Sequence, residues 1–454
     1  MLRLALALLL LSIATLTGAT EDTLRRRADL GASIAPPEGG SPARIVGFRA
    51  ESVLEKAGLA VGDQIVEVNG RPLADDVAFG AAIRALRGGD AVRLGAKRGE
   101  RLIRVDVNAP AMRPERIEGL ATRYGVAASA RGYLVRTYTT RPAGVPGRLP
   151  VVVFIPWLSC GAVENPFGAR DGWGKMLETV MRESRMQVVR IEKPGLGDSA
   201  GPDCSAADLE DDLAAFRAGI RAALADPGAD PARLYLFGGS IGAAFVPILA
   251  QEFAASGIIA TGGFARTWYE HMLDIERRRL TLSGAKASEV NAAMKGFAQF
   301  YDLTLRNGLT PAQAIEHNPA LGKLWYDAPV HQYGRPMRYY QQVQALDVEG
   351  AWERVAVPTL IVWGEYDWIM GRDEAERAAT LVKARDPALV TSVVRPGMDH
   401  HFQIYPDPRK AFAEENGTYD AGAASLIVEW LRKRNGESTT RTQKNAAAEA
   451  AAGQ

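Results

Sequence analysis

The segment Leu234-Tyr235-Leu236-Phe237-Gly238-Gly239-Ser240-Ile241-Gly242-Ala243-Ala244 constrains this chain more than any other. Its first four residues are apolar or aromatic and read as a strand. A Gly-x-Ser-x-Gly turn follows, and small residues then open a helix over roughly 241–253. A strand that turns so abruptly into a helix puts Ser240 on a tight corner, where side chains at 238 and 242 would collide. Corners of this kind belong to sheets flanked by helices, which need strands and helices in alternation.

The surrounding sequence supplies that alternation. Residues 151–155 form an unbroken apolar run, as in a strand buried on both faces. Further strand candidates are 187–191, 233–237, 258–261, 359–363 and 390–394, with two opening strands at 125–129 and 133–139. Between Ala265 and about Ala356 the pattern is helical and aromatic with no strand signal, too long for a simple crossover. It predicts a helical cap inserted into the sheet domain. The cap's Trp268, Tyr269, Trp325, Tyr326, Tyr339 and Tyr340 either line a pocket or form the cap's own core.

A serine hydroxyl is a weak nucleophile at neutral pH and needs a base, which in turn needs an orienting acid. The strand at 359–363 runs into Gly364-Glu365-Tyr366-Asp367, and that at 390–394 into Pro396-Gly397-Met398-Asp399-His400-His401. Both segments fall at strand C-terminal ends, where open α/β sheets place ligands. Asp367 is the candidate acid, with Glu365 as the alternative. Of the five histidines, His271, His317 and His331 lie in the cap, which leaves His400 or His401 as base. The helix end under Ser240 favours negative charge, and the Ile241 N–H faces a developing oxyanion there.

Together these residues resemble the α/β-hydrolase superfamily, in its serine aminopeptidase-like and esterase branch, over about 150–434. The resemblance implies an α/β fold with a mostly parallel sheet and a catalytic triad of Ser240, Asp367 and His400. His400 takes precedence over His401 because it stands three residues after Gly397. Gly238 and Gly242 would flank the nucleophile. A second oxyanion donor is expected from the loop Pro156-Trp157-Leu158-Ser159-Cys160-Gly161, where Pro156-Trp157 replaces the usual His-Gly. By position the donor is Leu158, with Trp157 as fallback. The loop Pro194-Gly195-Leu196-Gly197-Asp198-Ser199 also fits the family and is read as structural. In this fold the loops bearing Cys160 and Cys204 emerge at one edge of the sheet, so a disulfide between these two cysteines is expected.

The N-terminal part is organised differently. A strand at 43–48, a short helix at 52–57, a strand at 63–68, an Asn69-Gly70 turn, a helix at 77–86 and two closing strands within 91–107 form a compact unit. The run SVLEKAGLAVGDQIVEVNGRPL, residues 52–73, resembles a PDZ domain of the bacterial exported-protease type. The resemblance implies that Leu30, Gly31, Ala32 and Ser33 form a loop for a peptide carboxylate, with the ligand added as a strand. The alternative is a degenerate PDZ fold that only packs on its neighbour.

The expected domains are a signal peptide over 1–20, a PDZ-like domain over 28–108, the hydrolase domain over 109–436 with its cap at 265–356, and a disordered tail over 437–454. Met1-Leu2-Arg3 followed by an apolar stretch to Leu16 and Thr17-Gly18-Ala19 has the layout of a cleaved leader, too short to span a bilayer comfortably. An uncleaved anchor is the alternative reading. Export to the periplasm or medium is expected, with no stable membrane span after cleavage. The net charge of +1 on 454 residues points to no nucleic-acid partner. No metal-ligand spacing and no cofactor motif stands out. The expected activity is cleavage of an ester or amide, by a carboxylesterase or peptidase, with a peptide or protein C-terminus as possible partner. A non-catalytic PDZ scaffold on a retired hydrolase fold is the competing class.

Overall fold

The computed structural model describes residues 24–37 and 41–436. The expected leader over 1–20 and tail over 437–454 lie outside the described residues.

The first unit comprises β1 (Ala32–Ala35), β2 (Ala43–Phe48), α1 (Val53–Lys56), β3 (Gln64–Val68), β4 (Arg71–Pro72), α2 (Asp76–Arg84), β5 (Ala91–Arg98) and β6 (Arg101–Asn108). Its antiparallel sheet has the order β1-β2-β3-β5-β6, with β4 paired to β3. Asn69 and Gly70 turn β3 into β4 at φ 51° and 77°, the left-handed region that this residue pair tolerates. Ser52 caps α1 by accepting the Glu55 N–H. Leu54, Ile65, Val68 and Val92 are buried in a core that belongs to this unit alone.

A second sheet opens with β7 (Leu120–Ala128) and β8 (Leu134–Pro142). β7 starts well before the predicted 125–129, and β8 ends after the predicted 133–139. No apolar run marks the length of β8, because it buries Arg136, Thr137, Thr139 and Thr140. The chain continues through β9 (Leu149–Ile155), α3 (Gly172–Glu183), β10 (Gln187–Ile191), α4 (Leu209–Leu224), β11 (Ala229–Gly239), α5 (Gly242–Glu252) and β12 (Gly257–Thr261). Next come α6 (Trp268–Leu282), α7 (Ala287–Tyr301), α8 (Pro311–His317), β13 (His331–Gln332), β14 (Arg335–Pro336), α9 (Met337–Gln344) and α10 (Val348–Glu353). The chain closes with β15 (Thr359–Gly364), α11 (Arg372–Arg385), β16 (Val390–Arg395), β17 (Gln403–Ile404), α12 (Pro408–Phe412), β18 (Thr418–Tyr419) and α13 (Ala421–Arg434).

The large sheet has the order β16-β15-β12-β11-β9-β10-β8-β7. The strands from β16 to β10 in that order are parallel, and β8 and β7 pair antiparallel at the far edge. Helices α3 and α13 pack together over one face, around Trp173, Leu177, Ile427 and Leu431. Helices α4 and α5 cover the other face, and the cap packs into the same core. The cap over 265–356 is helical as expected, apart from one short hairpin. Tyr333 and Gly334, at φ 49° and 75°, turn β13 into β14. Two-residue strands carry too little alternation to be read from sequence.

The two units meet through arginines. Arg26 bonds the carboxylates of Glu164 at 2.8 Å and Asp198 at 2.6 Å, and the Arg27 N–H donates to Asp198 at 2.8 Å. Arg84, at the end of α2, makes two 2.8 Å bonds to Asp203.

Candidate active site

Strand β11 delivers Ser240 to the C-terminal edge of the sheet at φ 57°, a left-handed conformation that a non-glycine residue rarely adopts. The flanking glycines make the corner possible. A Cβ on Gly238 would stand 2.5 Å from Ala243 Cα, and one on Gly242 would stand 2.2 Å from the Ile155 carbonyl oxygen. Helix α5 therefore starts in direct contact with the end of β9. The Ser240 N–H donates to Thr261 O at 2.9 Å, which ties the corner to β12.

Asp367 and His400 come from the loops after β15 and β16. His400 Nε2 lies 3.0 Å from Ser240 Oγ, and its Nδ1 lies 2.8 Å from Asp367 Oδ2. The other carboxylate oxygen of Asp367 accepts the N–H groups of Ile369 at 3.0 Å and Met370 at 2.8 Å, which fixes its orientation. All three side chains are buried. Burial alone would lower the His400 pKa, but the Asp367 carboxylate beside it wins and holds it above the ordinary value. Burial pushes Asp399, the residue before His400, up to about 6. Glu365 is committed elsewhere: it accepts the Gly397 N–H at 2.9 Å. His401 turns towards Asp399 and Glu414, at 3.8 and 3.6 Å, and its side chain is 44% exposed.

The loop after β9 faces this trio. Cys160 and Cys204 form a disulfide with a Cα–Cα distance of 5.8 Å, joining that loop to the one after β10. Among the described residues, no acceptor takes the Leu158 or Ile241 N–H. Lys193 Nζ, buried beneath the loop, bonds the carbonyls of Trp157, Leu158 and Ser159. From the cap hairpin, Arg335 reaches Leu158 O at 3.3 Å and pairs with Asp212 at 2.8 Å.

A cleft of about 500 Å³ opens over Ser240. Its walls include Trp157, Trp173, Ile275, Trp368 and Met370, so the surface next to the serine is mostly apolar. Of the six cap aromatics singled out from sequence, Trp268 alone lines it. Tyr339 and Tyr340 are fully buried in the core, and Trp325 stacks on Phe300.

Residues 152–415 match the model of the alpha/beta hydrolase family. The chain belongs to that family. Residues 28–109 match the PDZ domain family. No curated protein matches the chain. Among solved structures, a hypothetical protein of Pseudomonas aeruginosa is 12% identical over 70% of this chain and 95% of that one, with a TM-score of 0.42. Carboxyl esterase 2 of the fungus Tuber melanosporum is 16% identical over 71% and 90%, with a TM-score of 0.41.

In the PDZ domain, the expected carboxylate loop is shorter than read from sequence. Leu30 is buried, Gly31 turns at φ 71°, and Ala32 and Ser33 already belong to β1, paired with Phe48 and Gly47. The Gly31 N–H donates to the carboxylate of Asp29 at 2.9 Å. Strand β1 is the sheet's edge. In the hydrolase domain, sequence reading missed Lys193, Arg335 and Trp173. A charged residue just past a strand carries no local mark of burial, and the Gly-x-Gly loop read as purely structural also receives Arg26 on Asp198.

Proposed function

We propose that this α/β hydrolase cleaves an ester or amide through an acyl-enzyme, with Ser240 attacking, His400 moving the proton and Asp367 orienting the imidazole. The hydrogen-bonded chain from Ser240 Oγ through His400 to Asp367 carries the reading. In the first half-reaction His400 accepts the serine proton as Oγ bonds the acyl carbon, then gives it to the departing alcohol or amine. In the second, His400 takes a proton from water as it attacks the acyl carbon, then returns that proton to Ser240 Oγ as the ester bond to the serine breaks and the acid leaves. The Leu158 and Ile241 N–H groups are assigned to the oxyanion in both halves. The apolar walls of the cleft favour an acyl group of modest size without charge.

The PDZ domain is proposed to take a peptide or protein C-terminus along the open edge of β1. Carboxylate capture at Gly31 then requires the ligand to displace Asp29 from its N–H. Export is part of the same reading, supported by the Cys160–Cys204 bridge, since disulfides persist in oxidising compartments. Among the described residues no helix is long and apolar enough to cross a membrane.

The test is labelling with a fluorophosphonate, followed by peptide mapping, beside a panel of p-nitrophenyl esters and aminoacyl amides. Label on Ser240 and turnover of one substrate series support the proposal. No label and no turnover would favour the non-catalytic scaffold.

A further inference from the structure

Lys193 follows β10 by two residues and is 1% exposed. An ammonium group has three N–H donors and no acceptor. Here all three go to consecutive carbonyls of one loop: Trp157 at 2.7 Å, Leu158 at 3.2 Å and Ser159 at 2.5 Å. Burial and the neighbouring Arg335 lower the Lys193 pKa to about 7, against the pull of Asp212 and Glu192. In its ammonium form the three carbonyls satisfy all its donors.

The consequence for the loop follows from peptide geometry. The described chain has no cis peptide bonds, so each peptide plane points its C=O and its N–H in opposite directions. Turning the Trp157 carbonyl down onto Lys193 turns the Leu158 N–H, in the same plane, away from Lys193. Trp157, Leu158 and Ser159 form part of the wall of the cleft that contains Ser240. When protonated, Lys193 at the carbonyl end also polarises the amide and strengthens its N–H as a donor. If the plane rotated, the Trp157 oxygen would replace the N–H, and an oxygen there repels an oxyanion.

We propose that Lys193 is a positioning residue for catalysis: by gathering the carbonyls of residues 157–159 it holds the Leu158 N–H towards the oxyanion formed at Ser240. This rests on the assignment of Ser240 as nucleophile and Leu158 as donor. The disulfide anchors the far end of the same loop at Cys160, and Arg335 shares the Leu158 carbonyl. Lys193 is the group that touches all three carbonyls.

The experiment uses the full chain and Lys193→Met, which keeps the length of the side chain and removes its donors. Loss of one oxyanion donor lowers kcat by about 10²–10³, and the same fall is expected here with KM changed less than about threefold. A trifluoromethyl ketone, whose adduct with Ser240 carries an oxyanion, should lose affinity in proportion to kcat. Binding of the matching alcohol, which forms no adduct, should stay within about threefold of the parent. Lys193→Gln, with two amide donors, is expected to fall between parent and Met variant, and it supplies the readout if the Met variant does not fold. A kcat within about threefold of the parent in a folded variant would overturn the role. So would equal losses for the ketone and the alcohol, which mark a cleft that has simply come apart. If Ser240→Ala retains turnover, the serine mechanism and this proposal fall together; if Ser240→Ala is dead while Lys193→Met is fully active, only the positioning role falls.

Discussion

Gly242 presses its Cα hydrogens against the carbonyl oxygen of Ile155, so close that a methyl group there would stand 2.2 Å from the oxygen. The Ile241 N–H lies one residue to one side of this contact and the loop bearing Leu158 begins on the other. The two assigned oxyanion donors are thus spaced by a backbone contact that only glycine permits. Gly242→Ala is expected to lose activity by at least about tenfold and to lower the melting temperature, because backbone atoms cannot yield as a side chain can. Gly47→Ala, where nothing stands within 4 Å of the new methyl, is the control and should melt like the parent.

Ser240→Ala is expected to abolish turnover and fluorophosphonate labelling without unfolding the protein. Loss of a triad nucleophile costs several orders of magnitude in rate. Activity within about tenfold of the parent would remove Ser240 from the mechanism.

The adjacent histidines separate cleanly. His400→Ala should match the loss at Ser240, since it removes the bond to Oγ and the partner of Asp367 together. His401→Ala should keep most activity, because its ring faces Asp399 and Glu414. The reverse pattern in initial rates would move the base to His401.

The base works only when neutral. Because the Asp367 charge outweighs burial and raises the His400 pKa, protonation sets in earlier on acidification than for a free histidine. The acid limb of kcat/KM should therefore have its midpoint above 6.5. Asp399, raised to about 6, loses its charge on the same side and weakens that support as pH falls. A midpoint below 6.5 in a pH profile of kcat/KM would contradict the assignment.

Replacing both Cys160 and Cys204 by Ser opens a 44-residue loop. The chain-entropy model gives about 4 kcal/mol for its closure, an upper expectation. Urea unfolding should show a lower midpoint with an unchanged slope, and kcat should fall because the oxyanion loop loses one anchor. Titration of the unreduced, denatured parent should find no free thiol.

Much of this arrangement is legible in the sequence alone. Residues 151–155 and 359–363 are strands buried on both faces, so their apolar runs stand out whatever lies around them. Ser240 and Asp367 follow such strands within three residues; His400 follows the more exposed β16, and its Gly397-Met398-Asp399 approach marks it instead. Lys193 and Arg335 were not legible, because charged residues read as solvent-facing unless their buried partners are known. Those partners lie 34 or more positions away for Lys193 and 123 for Arg335. Asp29 carries no mark for a different reason: its bond to the Gly31 N–H forms only once the chain turns at Gly31, and it takes the donor proposed for a ligand carboxylate.

The arginine tie between the two units also bears on the order in which the molecule is assembled. The PDZ core is complete by Ala109, from residues close together in the chain. The carboxylates that seat Arg26 arrive 138 and 172 positions after it, on loops that need the large sheet in place. Local contacts close faster than distant ones, and domains fold as units during synthesis. The N-terminal domain is thus expected to form first and to dock once the loops carrying Glu164 and Asp198 are in place, a latch closed on parts already made.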